Sequence, residues 1–181
     1  MLFTRHWGMP SGDTFDCEPI GGFVRKYLQH STISVDPFSR NKRWATYTND
    51  INPNTAAESH LDAEHFLLLL NKKGVRCDLG IFDPPYSPRQ ISECYKEAGI
   101  PISKTFHPIE TSNAALYSRV RKAFLGVLSP GSLVLSFGWN SCGMGKGFEI
   151  LEILLVAHGG AHNDTICMAE RMLPQHGELQ L

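Results

Sequence analysis

The apolar positions change period several times along the chain, and those changes mark its elements. Ile20, Phe23, Val24, Tyr27 and Leu28 recur at helical spacing and predict a helix over 19–29, with Arg25 and Lys26 on the opposite face. Asp16 stands as its N-cap, with Glu18 and Pro19 in the first turn. Gly21-Gly22 weakens that helix by about 1 kcal/mol per glycine relative to alanine. That cost fits either a close approach to the backbone or simple core packing. Short apolar runs follow. Residues 33–38 predict a strand ending in Asp36-Pro37-Phe38, and 46–50 a second ending in Asn49-Asp50. Residues 55–71 read as mostly helix, amphipathic over 64–70 and stopped by Gly74. Leu79, Ile81 and Phe82 close a buried central strand over 78–82. Helices are expected at 91–98 and 111–128, the second with Leu116, Val120, Phe124 and Leu128 on one face, around a Pro-containing loop at 100–110. Ser129-Pro130-Gly131 reads as a turn, and 133–137 as an apolar strand running into Gly138-Trp139-Asn140. Strands at 148–158 and 164–172 flank Gly159-Gly160-Ala161-His162-Asn163, a strong hairpin signal. Residues 1–15, with Gly8, Pro10 and Gly12, read as an irregular arm. There Arg5, His6 and Trp7 either touch a ligand or belong to a packed or frayed terminus. Residues 173–181 read as a loose tail.

The length, 181 residues, suits one domain over 1–181, with 87–130 as a variable insert. Hydrophobic residues make up 42% and charged residues 19%, enough to fill a core and too few charges for a disordered chain. Net charge is −1, so any surface for a polyanion must be a local patch. Five scattered cysteines, no C-x-x-C and no signal sequence point to free thiols in a reducing cytoplasm. The longest apolar run, 66–70, is far too short to span a bilayer, and no membrane partner is expected. The eight histidines do not cluster at ligand spacing, so no metal site is indicated. His158 and His162 flank the hairpin turn, in a solvated or turn-stabilising role.

The chemistry concentrates in Asp83-Pro84-Pro85-Tyr86. The two prolines end the strand, because neither has an N–H for a ladder and both fix φ. They make a rigid tip at a strand's carboxyl end, the edge where open α/β sheets bind ligands. Asp83 offers a carboxylate, Asp83 and Pro84 offer carbonyls, and Tyr86 offers a flat ring. Such a tip can accept hydrogen bonds from an amino group while stacking on the ring system that carries it, although an ordinary Pro-rich turn has the same letters. Asp50, ending the second strand, either accepts from ribose hydroxyls or caps the next helix. Asp62 accepts from an adenine amino group, caps the helix that starts at Ala63, or does both. Arg119, Arg121 and Lys122, with Arg89 and Lys104, either face phosphates or are simply solvated.

Helix, strand with Asp-Pro-Phe, strand with Asn-Asp, helix, strand with Asp-Pro-Pro-Tyr, helices, strand and terminal hairpin: this order resembles the amino-group DNA methyltransferases, most of all small phage or prophage adenine-specific enzymes. The resemblance runs from about residue 19 to 171. The tetrapeptide at 83–86 is its most specific part, and the antiparallel hairpin closing a parallel sheet is an independent second match. It implies an α/β, Rossmann-like class I S-adenosylmethionine-dependent methyltransferase fold. It also implies transfer of a methyl group from S-adenosylmethionine to N6 of an adenine flipped out of double-stranded DNA. In that scheme Asp83 and the Pro84 carbonyl accept from the target amino group, Pro85 stiffens the tip, and Tyr86 stacks on the base. Asp36 with Pro37-Phe38 would lie by the cofactor's methionine part, Asp50 by its ribose, and Asp62 by its adenine with Phe66 as an apolar neighbour. The helix carrying Gly21, Gly22 and Phe23 would face the methionine end. Two departures stand out. Asp-Pro-Phe runs into Ser39-Arg40-Asn41 instead of a glycine-rich loop, which leaves Arg40 to pair with the methionine carboxylate. There is also no room for a separate target-recognition domain, so recognition falls to 87–130, to 1–15, or to a second subunit, a homodimer or another partner. The alternative is a methyltransferase-like binding module without catalysis. Enzymes acting on protein glutamine prefer Asn at the tetrapeptide's first position and cytosine-N4 enzymes more often have Ser, so Asp83 favours adenine.

Overall fold

A computed structural model describes residues 1–99 and 113–174. The described residues form one sheet in the order β1-β6-β7-β5-β4-β2-β3. Its strands are β1 (Leu2–Trp7), β2 (Ser34–Asp36), β3 (Tyr47–Thr48), β4 (Cys77–Phe82), β5 (Leu128–Gly138), β6 (Phe148–Ala157) and β7 (Thr165–Met172). All pairings are parallel except those of β7, which runs antiparallel to both β5 and β6. This is the parallel sheet closed by an antiparallel hairpin that the sequence order predicts. No described helix is long and apolar enough to cross a membrane.

Burial on both faces explains why β4 reads as a continuous apolar run. Leu79 and Ile81 pack with Ile20, Phe23 and Val24 of α1 (Glu18–Leu28). Phe82 turns the other way, into the cluster built by α2 (Ala63–Lys72) and α4 (Asn113–Val127). Helix α4 sits so close to the strand that a Cβ at Gly80 would come within 2.7 Å of the Phe124 ring. Helix α3 (Pro88–Glu97) follows the strand tip, its N-terminus capped by Ser87 Oγ, which accepts from the Gln90 N–H at 3.2 Å.

Several expectations are corrected. Residues 1–15 are not an irregular arm: β1 runs beside β6 in unbroken register from Leu2–Glu152 to Trp7–Ala157. Its five exposed residues give no apolar alternation, so the sequence carries no strand period there. The cap of α1 is Cys17; Asp16 ends a 3-10 turn (Thr14–Asp16) and pairs with Lys42 at 2.5 Å. Residues 55–62 are not helical, and α2 begins only where Asp62 caps it. Ser129-Pro130-Gly131 lies within β5, as an irregularity in its register with β4, with Gly131 at φ +90°. Part of the segment 87–130, expected as a variable insert, packs into the core. Val120, Phe124 and Val127 of α4 are fully buried and belong to the central packing. The loop expected at 100–110 lies outside the described residues, as does the tail from 175.

Candidate active site

β4 delivers Asp83 to the carboxyl edge of the sheet, and three contacts then fix the tip. The Tyr86 hydroxyl donates to Asp83 Oδ1. The Tyr86 N–H donates to Gln90 Oε1 at 2.7 Å, tying the tip to the first turn of α3. The Tyr117 hydroxyl, from α4, donates to the Pro85 carbonyl at 3.2 Å. A cavity of about 620 Å³ opens along this edge, within the ~300–1,000 Å³ of small-molecule sites. Its lining includes Pro37, Phe38, Arg40, Asp50 and Asp62 together with Asp83 to Tyr86, Trp139 and His158.

The electrostatics of the tip follow from burial. Asp83 keeps part of its surface open, yet protein surrounds its carboxylate, and that desolvation raises its pKa to about 6 against the opposing hydrogen bonds of Tyr86 and Thr14. The Tyr86 phenol is pushed well above its ordinary value by burial and by the Asp83 charge beside it. Asp50 is also raised by burial, although its carboxylate accepts from the N–H groups of Asn52 at 2.8 Å and Arg40 at 3.2 Å. Asp62 holds two duties at once. Its Oδ1 caps α2 by accepting from the Glu64 N–H at 3.0 Å, while its Oδ2 accepts from the Tyr95 hydroxyl at 2.8 Å.

The loop after β2 resolves the question of the missing glycines. Arg40 sits at φ +48°, a left-handed conformation that glycine adopts freely and that L side chains rarely take. The backbone therefore keeps a glycine-like shape without a glycine. The Arg40 guanidinium is turned to the Gly12 carbonyl, so the expected pairing with a bound carboxylate would require it to leave that partner.

Other expected site residues do not reach the cavity. Asp36 is buried behind it, accepting from the Phe38 N–H at 2.9 Å and holding the Asp-Pro-Phe turn in shape. Its carboxyl is held well above the usual range by burial and by the nearby Asp83, Asp50 and Asp13. Phe66 is 3% exposed and packs in the core of the α2–α4 face. Phe23 packs against Tyr27 and Phe137. Gly21 is small for a packing reason: a Cβ there would come within 2.4 Å of the Phe15 carbonyl oxygen. Gly21→Ala is accordingly expected to lower stability by about 1–3 kcal/mol in chemical denaturation, with the folded variant keeping the ligand affinity of the parent.

The basic cluster also disperses. Arg119 pairs with Glu64 at 3.3 Å, and the Arg121 guanidinium lies over the rings of Phe82 and Tyr117. Arg89 pairs with Glu93 at 2.8 Å on the exposed side of α3, and Lys122 is exposed. They stand together in one stretch of sequence, but Arg89, Arg119 and Arg121 are each taken up by different neighbours. Lys104 lies outside the described residues.

Three residues near the tip escaped sequence reading. Thr14, from the 3-10 turn before α1, hydrogen-bonds to the Asp83 carboxylate. Trp139, at the end of β5, meets the Tyr86 ring at 5.5 Å and 63°. His158, expected in a solvated or turn-stabilising role, is buried and takes the second, bonding across the hairpin. Its ring bonds the Gly8 carbonyl at 2.7 Å and the Thr165 hydroxyl at 2.8 Å. A Trp directly after an apolar strand was the one available signal; Thr14 and His158 depend on β1, which the pattern does not reveal.

No protein-family model matches the sequence, and no curated protein matches it. Solved structures do match the fold. TrmN from Thermus thermophilus superposes with a TM-score of 0.55 at 13% identity, over 87% of this chain and 49% of TrmN. SMU.776, a candidate methyltransferase complexed with SAH, gives 0.53 at 13% identity, over 83% of this chain and 48% of its own. YhhF from Escherichia coli, another candidate methyltransferase, gives 0.53 at 10% identity, with 92% and 91% covered. The chain thus spans about half the length of the first two and nearly all of the third. At these identities the likeness is one of fold alone: an α/β arrangement around a mostly parallel sheet closed by an antiparallel hairpin.

Proposed function

We propose that this protein is an S-adenosylmethionine-dependent methyltransferase that modifies the exocyclic amino group of adenine, at N6, in DNA. The observation that carries this reading is that one cavity is lined both by Asp50 and Asp62 and by the Asp83-Pro84-Pro85-Tyr86 tip. The residues present suit the cofactor. Asp50 is a half-buried carboxylate with acceptor capacity left for ribose hydroxyls, Arg40 preserves the glycine-like turn, and Pro37-Phe38 supply a backbone and apolar wall. S-adenosylmethionine, when bound, supplies a methyl group on a positively charged sulfur. SMU.776 is complexed with SAH, the form the cofactor takes once that methyl has gone.

The chain's own contribution is positional. Asp83 and the Pro84 carbonyl accept the two N–H groups of the target amine, which concentrates the nitrogen lone pair on the free side. A strong base is unnecessary, because the amino proton becomes acidic only as the new N–C bond forms. Tyr86 and its neighbour Trp139 offer ring faces to an unstacked base. The Tyr86 hydroxyl occupies Asp83 in the free protein and must give way when the amine arrives. Tyr86→Phe therefore keeps the stacking ring and removes a hydrogen bond that lowers the Asp83 pKa. Its acid limb in kcat/KM should move to higher pH, with activity far above that of Tyr86→Ala. Equal losses in the two variants would show that the ring does not stack.

The test is incubation with isotopically labelled S-adenosylmethionine and mixed-sequence DNA, followed by digestion and mass spectrometry of the nucleosides. The expected product is labelled N6-methyladenine. Label in N4-methylcytosine, or only in RNA or protein controls, would overturn the substrate assignment while leaving the fold and the cofactor reading intact.

A further inference from the structure

β1 is an edge strand of an unusual kind. Among the described residues the sheet order ends at β1, so its outer row of N–H and C=O groups faces no strand. Five of its six residues are exposed, including Leu2 at 52%, Phe3 at 59% and Trp7 at 63%. Natural edges are guarded by proline, charged side chains, inward charge or a bulge. β1 carries one such guard, the charge of Arg5; it has no proline, and its register with β6 is unbroken. Register with β6 also fixes the faces. Leu2, Thr4 and His6 share the face of Glu152, Leu154 and Val156, the side covered by α1, while Phe3, Arg5 and Trp7 lie on the other face beside Ile153, Leu155 and Ala157.

We propose that β1 is a dimerisation edge, and that two copies of this chain pair Leu2–Trp7 antiparallel about a two-fold axis at Thr4 into one continuous sheet. Self-complementarity selects the second copy as the occupant. In a continuous antiparallel sheet, directly opposed residues share a face, so only registers centred on a residue are allowed. Centring on Arg5 sets two guanidinium groups directly opposite, which is unfavourable. Centring on Thr4 sets Thr4 against its copy, Leu2 against His6, and Phe3 against Arg5. That last pair places a cation by an aromatic ring twice, once on each side of the axis. The interface is isologous, closes as a dimer and leaves no edge of this kind exposed. It does not depend on the methyl-transfer reading. Because residues 8–17 run from β1 along the cavity, with Gly8, Gly12 and Thr14 bonded to His158, Arg40 and Asp83, the paired edge would also brace the segment that reaches the tip.

The experiment is light scattering behind size exclusion, over a concentration series, with two charge variants at the axis. The wild-type chain should run at twice its monomer mass and dissociate on dilution. Thr4→Lys and Thr4→Glu should each be folded monomers by circular dichroism, since each sets like charges opposite on the axis. Mixed together they should recover the dimer as a heterodimer, an outcome that misfolding cannot produce. A wild-type monomer at every concentration would overturn the proposal, as would dimers that persist in both single variants. So would a monomer whose fluorescence response to single-stranded oligonucleotide is abolished by Trp7→Phe, which would instead make the Phe3-Arg5-Trp7 stripe a stacking track.

Discussion

Asp83→Ala is expected to lower kcat for methyl transfer by about 10²–10³-fold or more, the scale of losing one preorganised hydrogen-bonding group at a reacting centre. Cofactor affinity should change little, because the proposed partner of Asp83 is the target amine and not the cofactor. The carboxylate also sets a pH dependence. With a pKa of about 6, it is ionised above that pH and accepts on both oxygens; below it the protonated form loses acceptor capacity. The rate should therefore fall about tenfold per unit of pH below about 6. Asp83→Asn keeps a carbonyl acceptor and removes the titration, so its profile should be flat through that region. The same group affects stability in the opposite direction. Its folded pKa lies above the ~3.9 of an unfolded aspartate, so its contribution is complete below that value and is lost as pH rises through about 6. A shift of about 2 units corresponds to about 3 kcal/mol at full desolvation. The partial opening of Asp83 to the cavity reduces that to about 1–2 kcal/mol. Asp83→Asn should thus unfold at higher denaturant than the parent at pH 8 and at the same denaturant at pH 4. Persistent activity in Asp83→Ala would remove the residue from the reaction.

The second large effect is expected at Asp50. Hydrogen bonds to a charged group contribute about 1.5–3 kcal/mol, which is about ten- to a hundredfold in Kd. Asp50→Ala should weaken S-adenosylmethionine by at least that factor, since it removes the carboxylate that the ribose would meet. It also orphans the N–H groups of Asn52 and Arg40, which hold the turns on either side. Asp50→Asn separates these effects, because its side-chain oxygen still accepts from one turn N–H while the charge is gone. A binding loss in alanine that is fully restored in asparagine would assign Asp50 to the turns and not to the ligand.

Much of this edge was readable because its chemistry is local. Asp83-Pro84-Pro85-Tyr86 declares a strand end through its prolines, and Asp62 declares a helix start through its own side chain. The hairpin of β6 and β7 follows from glycines at a turn between two apolar runs. The errors fall where the signal is tertiary. Gly21 resembles a ligand-facing glycine until the Phe15 carbonyl appears beside it. Arg119 and Arg121 are neighbours in sequence, yet two positions apart they leave the helix on different sides: one meets Glu64 on α2 and the other lies on Phe82 from β4. Phe66, expected beside the cofactor's adenine, is taken up instead by the core between α2 and α4. β1 carries no period at all, because an exposed edge strand beside β6 has no buried face to write into its sequence. Everything that depends on β1, including Thr14 at Asp83 and His158 at Gly8, was hidden with it.

The most direct measurement is calorimetric titration of the purified protein with S-adenosylmethionine and with its demethylated product, which requires no knowledge of the DNA target. Saturable binding of one cofactor per chain, near the micromolar range or about −8 kcal/mol, and weakened in Asp50→Ala but not in Asp83→Ala, is the predicted result. Heats no larger than dilution for both ligands, with the protein folded, would contradict the assignment of this cavity to a methyl donor.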